Sequence, residues 1–237
     1  MNSATDTATS PAAHSALIVA DRISKSYMRG TERLQVLDAL SIQIEEGEFV
    51  ALMGPSGSGK TTLLNLIAGF DTADAGSLIV AGSNLSSLSE NELSKWRLNH
   101  VGFVFQFYNL LPVLSAQENV ALPLMLFGMS AKERNERARF SLEVVGLGDR
   151  VKHLPSELSG GQEQRVAIAR AIVTDPKLIV ADEPTGDLDR ASAEEVLALL
   201  KRLNTEFKKT IVMVTHDPAA ASHASRIVRL DKGKLVG

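Results

Sequence analysis

EFVALMGPSGSGKTTLLNLIAGF, residues 48–70, decides how the rest of the chain is read. The apolar run Phe49–Met53 suits a buried strand, and TTLLNLIAGF, from Thr61 on, suits a buried helix. Between them lies GPSGSGKTT, which fits G-x-x-x-x-G-K-[ST] in the place that pattern requires, after a strand and opening a helix. Gly54, Gly57 and Gly59 let the loop curl so that backbone N–H groups point inward. Lys60 supplies a point charge for phosphates and Thr61 a hydroxyl for Mg²⁺. Gly54, Pro55, Ser56, Gly57, Ser58, Gly59, Lys60, Thr61 and Thr62 are therefore the candidate nucleotide-binding segment. A merely glycine-rich turn with a solvated lysine leaves the strand–loop–helix placement unexplained.

Outward from this loop, 237 residues with 44% apolar content suffice for one domain, or one domain with a sizeable insertion. The balance of 25 Lys and Arg against 28 Asp and Glu, with no long basic block, gives no strong nucleic-acid footprint, and no nucleic acid is expected as a partner. The absence of cysteine excludes disulfides, thiolate catalysis and Cys-type zinc sites. The longest apolar stretch, VALPLMLFGM at 120–129, falls far short of the roughly 20 residues a spanning helix needs, so the chain is not expected to cross a membrane by itself. Residues 1–16 lack a basic start and a hydrophobic segment; they do not resemble a secretory signal and are expected to be a disordered tail.

From Leu17 the runs LIVADRI, VLDALSIQIEEG, EFVALMG and SLIVAG read as strands, and later LIVAD (178–182), TIVMVT (210–215) and RIVRL (226–230) do so again. Between about 87 and 165 the texture turns helical, with Ser89/Glu92 and Ser130/Glu133 spaced as capping boxes and Glu133/Arg137 as an i, i+4 pair. Apolar strands alternating with helices predict a largely parallel sheet covered on both faces. The expected organisation is an α/β domain over 17–237, its core at 17–86 and about 166–237, with a helical insertion at about 87–165.

Two further segments carry chemistry. LIVADEP places Asp182 and Glu183 at the end of an apolar strand, where such sheets present ligands. Asp182 suits an outer-sphere hold on Mg²⁺ and Glu183 the polarisation of an attacking water; alternatively both simply cap the strand or the next helix. LSGGQ, residues 158–162, opens a helix with paired glycines, which points to close approach of something to the backbone. The helix dipole, the Ser159 hydroxyl, Gly160 and Gly161 together form a second anion-gripping element, the alternative being an ordinary glycine-capped helix.

These residues together resemble the ATP-binding subunits of ABC transporters, from about Leu17 to Gly237. GPSGSGKTT resembles the Walker A motif, Gln106 in FVFQ the Q-loop, LSGGQ the signature, LIVADE Walker B, GDLD at 186–189 the D-loop and His216 in VTHD the switch histidine. The resemblance implies a P-loop NTPase (RecA-like) core with an antiparallel β-subdomain and an inserted α-helical subdomain. It assigns Tyr27 to stacking on adenine, Gln106 and His216 to positioning the reacting groups, Gln106 also to the metal, and Asp189 to linking two sites. Two chains would pair head to tail, Ser159, Gly160, Gly161 and Gln162 of one closing over ATP held by Lys60 and Thr61 of the other.

The wording FVFQFYNLLPVLSAQENVALPL and VADEPTGDLD is most similar to the lipoprotein-release and macrolide-efflux branch, whose permeases are FtsX-like. That implies a separate integral membrane permease docked near Phe107–Pro112, a possible periplasmic adaptor reached through it, and a peripheral position on the cytoplasmic face of the inner membrane. Ending at Gly237, the sequence is expected to lack a fused permease or regulatory domain. Glu163, directly after LSGGQ where Gln is commoner, departs from the family pattern. The rival class, a soluble ABC-type ATPase of DNA repair or translation, usually carries long coiled coils or two cassettes, and neither is present here.

Overall fold

The computed structural model describes residues 16–236, so the expected tail lies, except for Ala16, outside the described residues. In chain order the strands are β1 (Ala16–Arg29), β2 (Glu32–Glu45), β3 (Phe49–Met53), β4 (Ala75–Val80), β5 (Ser83–Asn84), β6 (Val101–Val104), β7 (Leu178–Asp182), β8 (Thr210–Val214), β9 (Arg226–Asp231) and β10 (Lys234–Val236). The helices are α1 (Lys60–Ile67), α2 (Glu90–His100), α3 (Ala116–Ala121), α4 (Ala131–Val144), α5 (Gly160–Ile172), α6 (Arg190–Thr205) and α7 (Pro218–Ala221). One sheet is antiparallel in the order β2-β1-β4-β5. The other runs β10-β9-β3-β8-β7-β6 and is parallel throughout, except for the β9–β10 hairpin at its edge.

The central strands β3, β7 and β8 read as nearly unbroken apolar runs because both of their faces are covered. Val50, Leu52, Leu178, Val180, Val212 and Val214 face a core shared with α1 and the antiparallel sheet. Their neighbours Phe49, Ala51, Ile179, Ala181, Ile211 and Met213 face a second core built from α3 to α6. Burying each of these side chains larger than alanine stabilises the fold by roughly 1.5–3 kcal/mol. The carboxyl ends of β3, β7 and β8 emerge side by side, which brings the loop after Met53, the Asp182–Glu183 pair and the segment leading to His216 to one edge.

The stretch expected to be helical, about 87–165, departs from that reading at both ends. Val101–Val104 form β6, paired in register with β7 from Val101↔Leu178 to Val104↔Ala181. Helix α2 buries Leu93 and Trp96 in the core that holds α1. A four-residue strand after a polar helix carries too little periodicity to announce itself. At the other end residue 165 lies within α5, whose Val166, Ile168 and Ala169 share one continuous core with Val120, Leu124 and Leu142 of the helical segment.

Both expected capping boxes form, at Ser89/Glu92 and Ser130/Glu133, and Ser115/Glu118 makes another. The Glu133 carboxylate accepts from the backbone N–H and hydroxyl of Ser130, and no Glu133–Arg137 ion pair forms. The helix-surface pairs of α4 are instead Lys132–Glu136 and Arg139–Glu143.

Candidate functional site

The loop after β3 needs its glycines. Gly57 has φ +76° and Gly59 φ +101°, conformations that side-chain-bearing residues rarely adopt, and a Cβ on Gly59 would lie 2.8 Å from Leu37 Cδ2. Gly59 caps α1, which has no side-chain cap and no acidic residue in its first turn. Its first N–H groups and the positive end of its dipole are thus left for an anion. Lys60 is 8% exposed, and its ammonium donates to the carbonyls of Gly54 (2.8 Å) and Pro55 (3.0 Å), which hold the charge within the loop.

Gly54, Ser56, Gly57, Gly59, Lys60, Thr61 and Thr62 line one cleft, with Glu183 and His216 facing them and Leu34 and Val36 at an edge. Pro55 turns toward Leu230 and Asp231, and the Ser58 hydroxyl is buried; neither lines the cleft.

Glu183 continues the ladder one residue beyond β7, its N–H donating to Val214 O at 3.0 Å, and then turns sharply at φ +46°. His216 Nδ1 lies 2.7 Å from Glu183 Oε2. A Cβ added to Gly186 would lie 3.1 Å from Gln106 Nε2 and 3.4 Å from Glu183 Oε2, so Gln106 reaches the same cluster. The structure therefore brings Glu183, His216 and Gln106 together beside the phosphate loop.

Asp182 Oδ1 lies 3.5 Å from Thr61 Oγ1. Burial pushes its carboxyl above the usual aspartate range and the nearby Glu183 charge adds to this, while the Thr61 hydrogen bond and Lys60 pull the other way. A hydroxyl, a carboxylate and the Gln106 amide oxygen are hard oxygen donors of the kind magnesium takes. Among the described residues no group of three or more His, Cys, Asp or Glu gathers.

Tyr27 lies outside this lining. It is 40% exposed, its hydroxyl donates to Asp71 Oδ2 at 2.7 Å, and Lys25, 5.3 Å from the ring centroid, donates to Asp71 Oδ1 at 2.5 Å. Burial and the Asp71 hydrogen bond both raise the phenol's pKa, so it stays a neutral donor.

The residues 159–162 do not line the cleft either. Ser159 and Gln162 cap α5 reciprocally: Ser159 Oγ accepts from the Gln162 N–H, and the Ser159 N–H donates to Gln162 Oε1. The Ser159 hydroxyl proton and the Gln162 NH₂ remain available to a ligand. The paired glycines have an explanation within the chain that the sequence did not reveal. A Cβ on Gly160 would lie 2.9 Å from the Tyr108 hydroxyl, and one on Gly161 2.9 Å from Ser192 Cβ and Oγ. Asp189 is likewise engaged locally: it caps α6, accepting from the N–H groups of Ala191 and Ser192 and from the Ser192 hydroxyl, and it does not reach the cleft.

Sequence reasoning missed three polar side chains that fix these loops. Asn119, fully buried, donates to the carbonyls of Leu111, Leu114 and Ser115; Gln164, also fully buried, donates to those of Phe105 and Pro184; Arg170 donates to those of Tyr108 and Asn109. A signal existed for Gln164, a polar residue on the same helical stripe as Ala167, Ile168 and Ala171.

A glycine-rich loop between strand and helix, with carboxylates on the neighbouring strand end, defines a P-loop nucleotide-hydrolase architecture. Within that class the chain belongs to the ABC transporter family, whose profile matches residues 37–186, and it is an ATPase of that family. It is 47% identical over 219 residues to the lipoprotein-releasing system ATP-binding protein LolD of Chromohalobacter salexigens, covering 92% of each chain. It is 49% identical to the macrolide export ATP-binding/permease protein MacB of Rhodopirellula baltica, covering 89% of this chain but only 31% of that longer protein. Among solved structures, the ATP-binding cassette MJ0796, a dimer in a post-hydrolysis state bound to ADP and Pi, superposes with a TM-score of 0.85 at 43% identity, covering 93% of this chain and 97% of that one.

Proposed function

We propose that this ATPase works as a head-to-tail pair of identical chains around two MgATP and drives a separate, FtsX-like membrane permease in export, lipoprotein release or mechanotransmission. One observation carries the pairing: the cleft holds the phosphate loop, Glu183 and His216, yet no residue of the 159–162 anion-gripping element lines it. A second copy supplies that missing wall, so each ATP favours the closed pair through its contacts with both chains.

In this reading water attacks the γ phosphorus in line, and the bond to the β–γ bridging oxygen breaks on the opposite side, releasing ADP and phosphate. Glu183 takes its proton, His216 holds the Glu183 carboxylate from the other side, and Lys60 and the N–H groups at the start of α1 stabilise the developing charge. Thr61, Asp182 and Gln106 would hold Mg²⁺, which when bound offsets phosphate charge. Tyr27, steadied by Asp71, offers its ring face to adenine. Asp189 keeps the start of α6, and with it the segment between the two sites, in one conformation.

No helix among the described residues is long and apolar enough to cross a membrane, so action at a membrane needs a partner there. Phe107 (66% exposed), Leu111 and Val113 on the loop after Gln106, with Met125 and Leu126 in the helical segment, give a permease helix an apolar surface. The relatives named for lipoprotein release and macrolide export support this branch, the latter carrying a permease on the same chain as its ATP-binding part. A periplasmic adaptor would be reached only through that permease.

The test is purification of the Glu183→Gln form with ATP from detergent-solubilised membranes. The expected companion is an integral membrane protein, its yield lowered by adding Phe107→Ser and Leu111→Ser. Recovery of the chain solely in the soluble fraction, or with nucleic acid, would refute the reading.

A further inference from the structure

Gln164 has no place in the sequence motifs, yet it touches the backbone beside both reacting side chains. It lies in the second turn of α5, is fully buried, and its side-chain NH₂ donates to the Phe105 carbonyl at 3.2 Å and to the Pro184 carbonyl at 2.7 Å. Phe105 immediately precedes Gln106, and Pro184 immediately follows Glu183. One amide nitrogen with two protons therefore links the two segments that carry Gln106 and Glu183, and it does so from the helix whose first turn carries Ser159 to Gln162.

The other half of the amide argues that this is more than packing. Gln164 Oε1 is buried and has no hydrogen-bond partner among the described residues. An orphaned buried carbonyl is unfavourable, and an apolar side chain of the same length would avoid it. The residue type suits its two donors. A carboxylate there would confront two carbonyl oxygens with no proton to share, and asparagine is one methylene too short to hold the same reach.

A second grip lies further along the same helix. Arg170 Nη2 and Nη1 donate to the carbonyls of Tyr108 (2.6 Å) and Asn109 (2.5 Å), two successive non-glycine residues at φ +51°. Gln164 and Arg170 are six residues apart, about 9 Å along an α-helix, so the loop holding Gln106 is fastened to α5 on both sides of that residue.

We propose that Gln164 is a positioning residue for ATP hydrolysis: it transmits the placement of α5, set when Ser159 to Gln162 meet the partner's nucleotide, to Gln106 and Glu183 at once. The proposal rests on the reading of Gln106 and Glu183 as groups of the reacting site. It predicts a loss in turnover that is separable from nucleotide binding, because the side-chain hydrogen bonds of Gln164 go to the carbonyls of Phe105 and Pro184 and not to the phosphate loop.

The experiment compares Gln164→Met, which keeps shape and removes the donors, and Gln164→Glu, which reverses their polarity, with the parent full chain. Steady-state ATPase gives kcat and KM, and titration with ATP in EDTA gives affinity without turnover. Expected is a kcat lower by on the order of 10- to 100-fold in both variants, from displacement of the reacting groups, with ATP affinity within about twofold. Leu142→Ala, a cavity in the core of the helical segment, serves as a stability control and should lower Tm while keeping kcat within about twofold.

Parent-like kcat in Gln164→Met beside an inactive Glu183→Gln overturns the role of Gln164 alone. So does a kcat loss in Gln164→Met that Leu142→Ala reproduces at equal Tm. Parent-like kcat in Glu183→Gln itself overturns the reading of the reacting site, and this inference with it.

Discussion

Glu183 sits at φ +46°, and this one backbone angle makes a prediction whose sign is unusual. The left-handed region costs a residue with a Cβ about 1–2 kcal/mol, a term glycine escapes. Glycine gives back about 0.5–1 kcal/mol through the greater freedom of its unfolded chain. Glu183→Ala and Glu183→Gly both remove the carboxylate and its 2.7 Å contact with His216, so comparing them isolates the backbone. The glycine variant should be the more stable by about 0.5–1 kcal/mol, which for a chain of this size is about 2 °C in Tm. At an ordinary extended or helical position the order is reversed by a similar amount.

Thermal unfolding followed by circular dichroism without nucleotide reads this difference. Both variants should lose turnover by about 10²- to 10⁴-fold, the usual contribution of a positioned general base. An alanine variant melting at or above the glycine variant would refute the claim that the turn after β7 is strained. Turnover surviving in either would refute the role of the carboxylate.

Ser159→Ala removes the acceptor that caps α5 and should lower stability by about 1 kcal/mol; it should leave ATP binding by the isolated chain nearly unchanged and yet weaken the ATP-dependent pair seen by size-exclusion chromatography. Weakened primary ATP binding with pairing intact would show the geometry to be wrong. Asp182→Asn should make the nucleotide-free chain more stable at neutral pH while abolishing magnesium-dependent hydrolysis. Burial raises the folded-state pKa of Asp182, so the native chain binds its proton more tightly than the unfolded chain; stability falls as pH rises from the ordinary aspartate range through that raised value. The gain from asparagine should therefore vanish in acid, and melting curves across pH that show a constant gain, or none, would contradict the assignment.

The legible part of the site is the part built from consecutive residues. GPSGSGKTT, LSGGQ and the Asp182–Glu183 pair could each be found because a short run of chain adopts the necessary shape by itself. The edge strand Val101–Val104 could not, since four residues become a strand only through the neighbour they pair with. The paired glycines meet the same limit: the sequence predicts a close approach at Gly160 and Gly161, and the approaching atoms include the chain's own Tyr108 and Ser192, distant in sequence. Asp189 likewise carries a motif, while its observed bonds all belong to the cap of α6.

By itself the sequence determined a phosphate loop between strand and helix and a parallel sheet covered on both faces, because glycine conformations and apolar periodicity are local properties of the chain; ATP hydrolysis entered through the resemblance its motifs carry. Only the tertiary structure decided that Glu183 turns into the cleft through a left-handed residue and that Gln106 and His216 meet it. It alone decided that a buried glutamine from α5 fastens the flanking segments, and that the turn at Ser159–Gln162 lies outside the cleft. These are relations between segments distant in sequence, and they are fixed by how the faces of the sheet pack rather than by any one segment's preference.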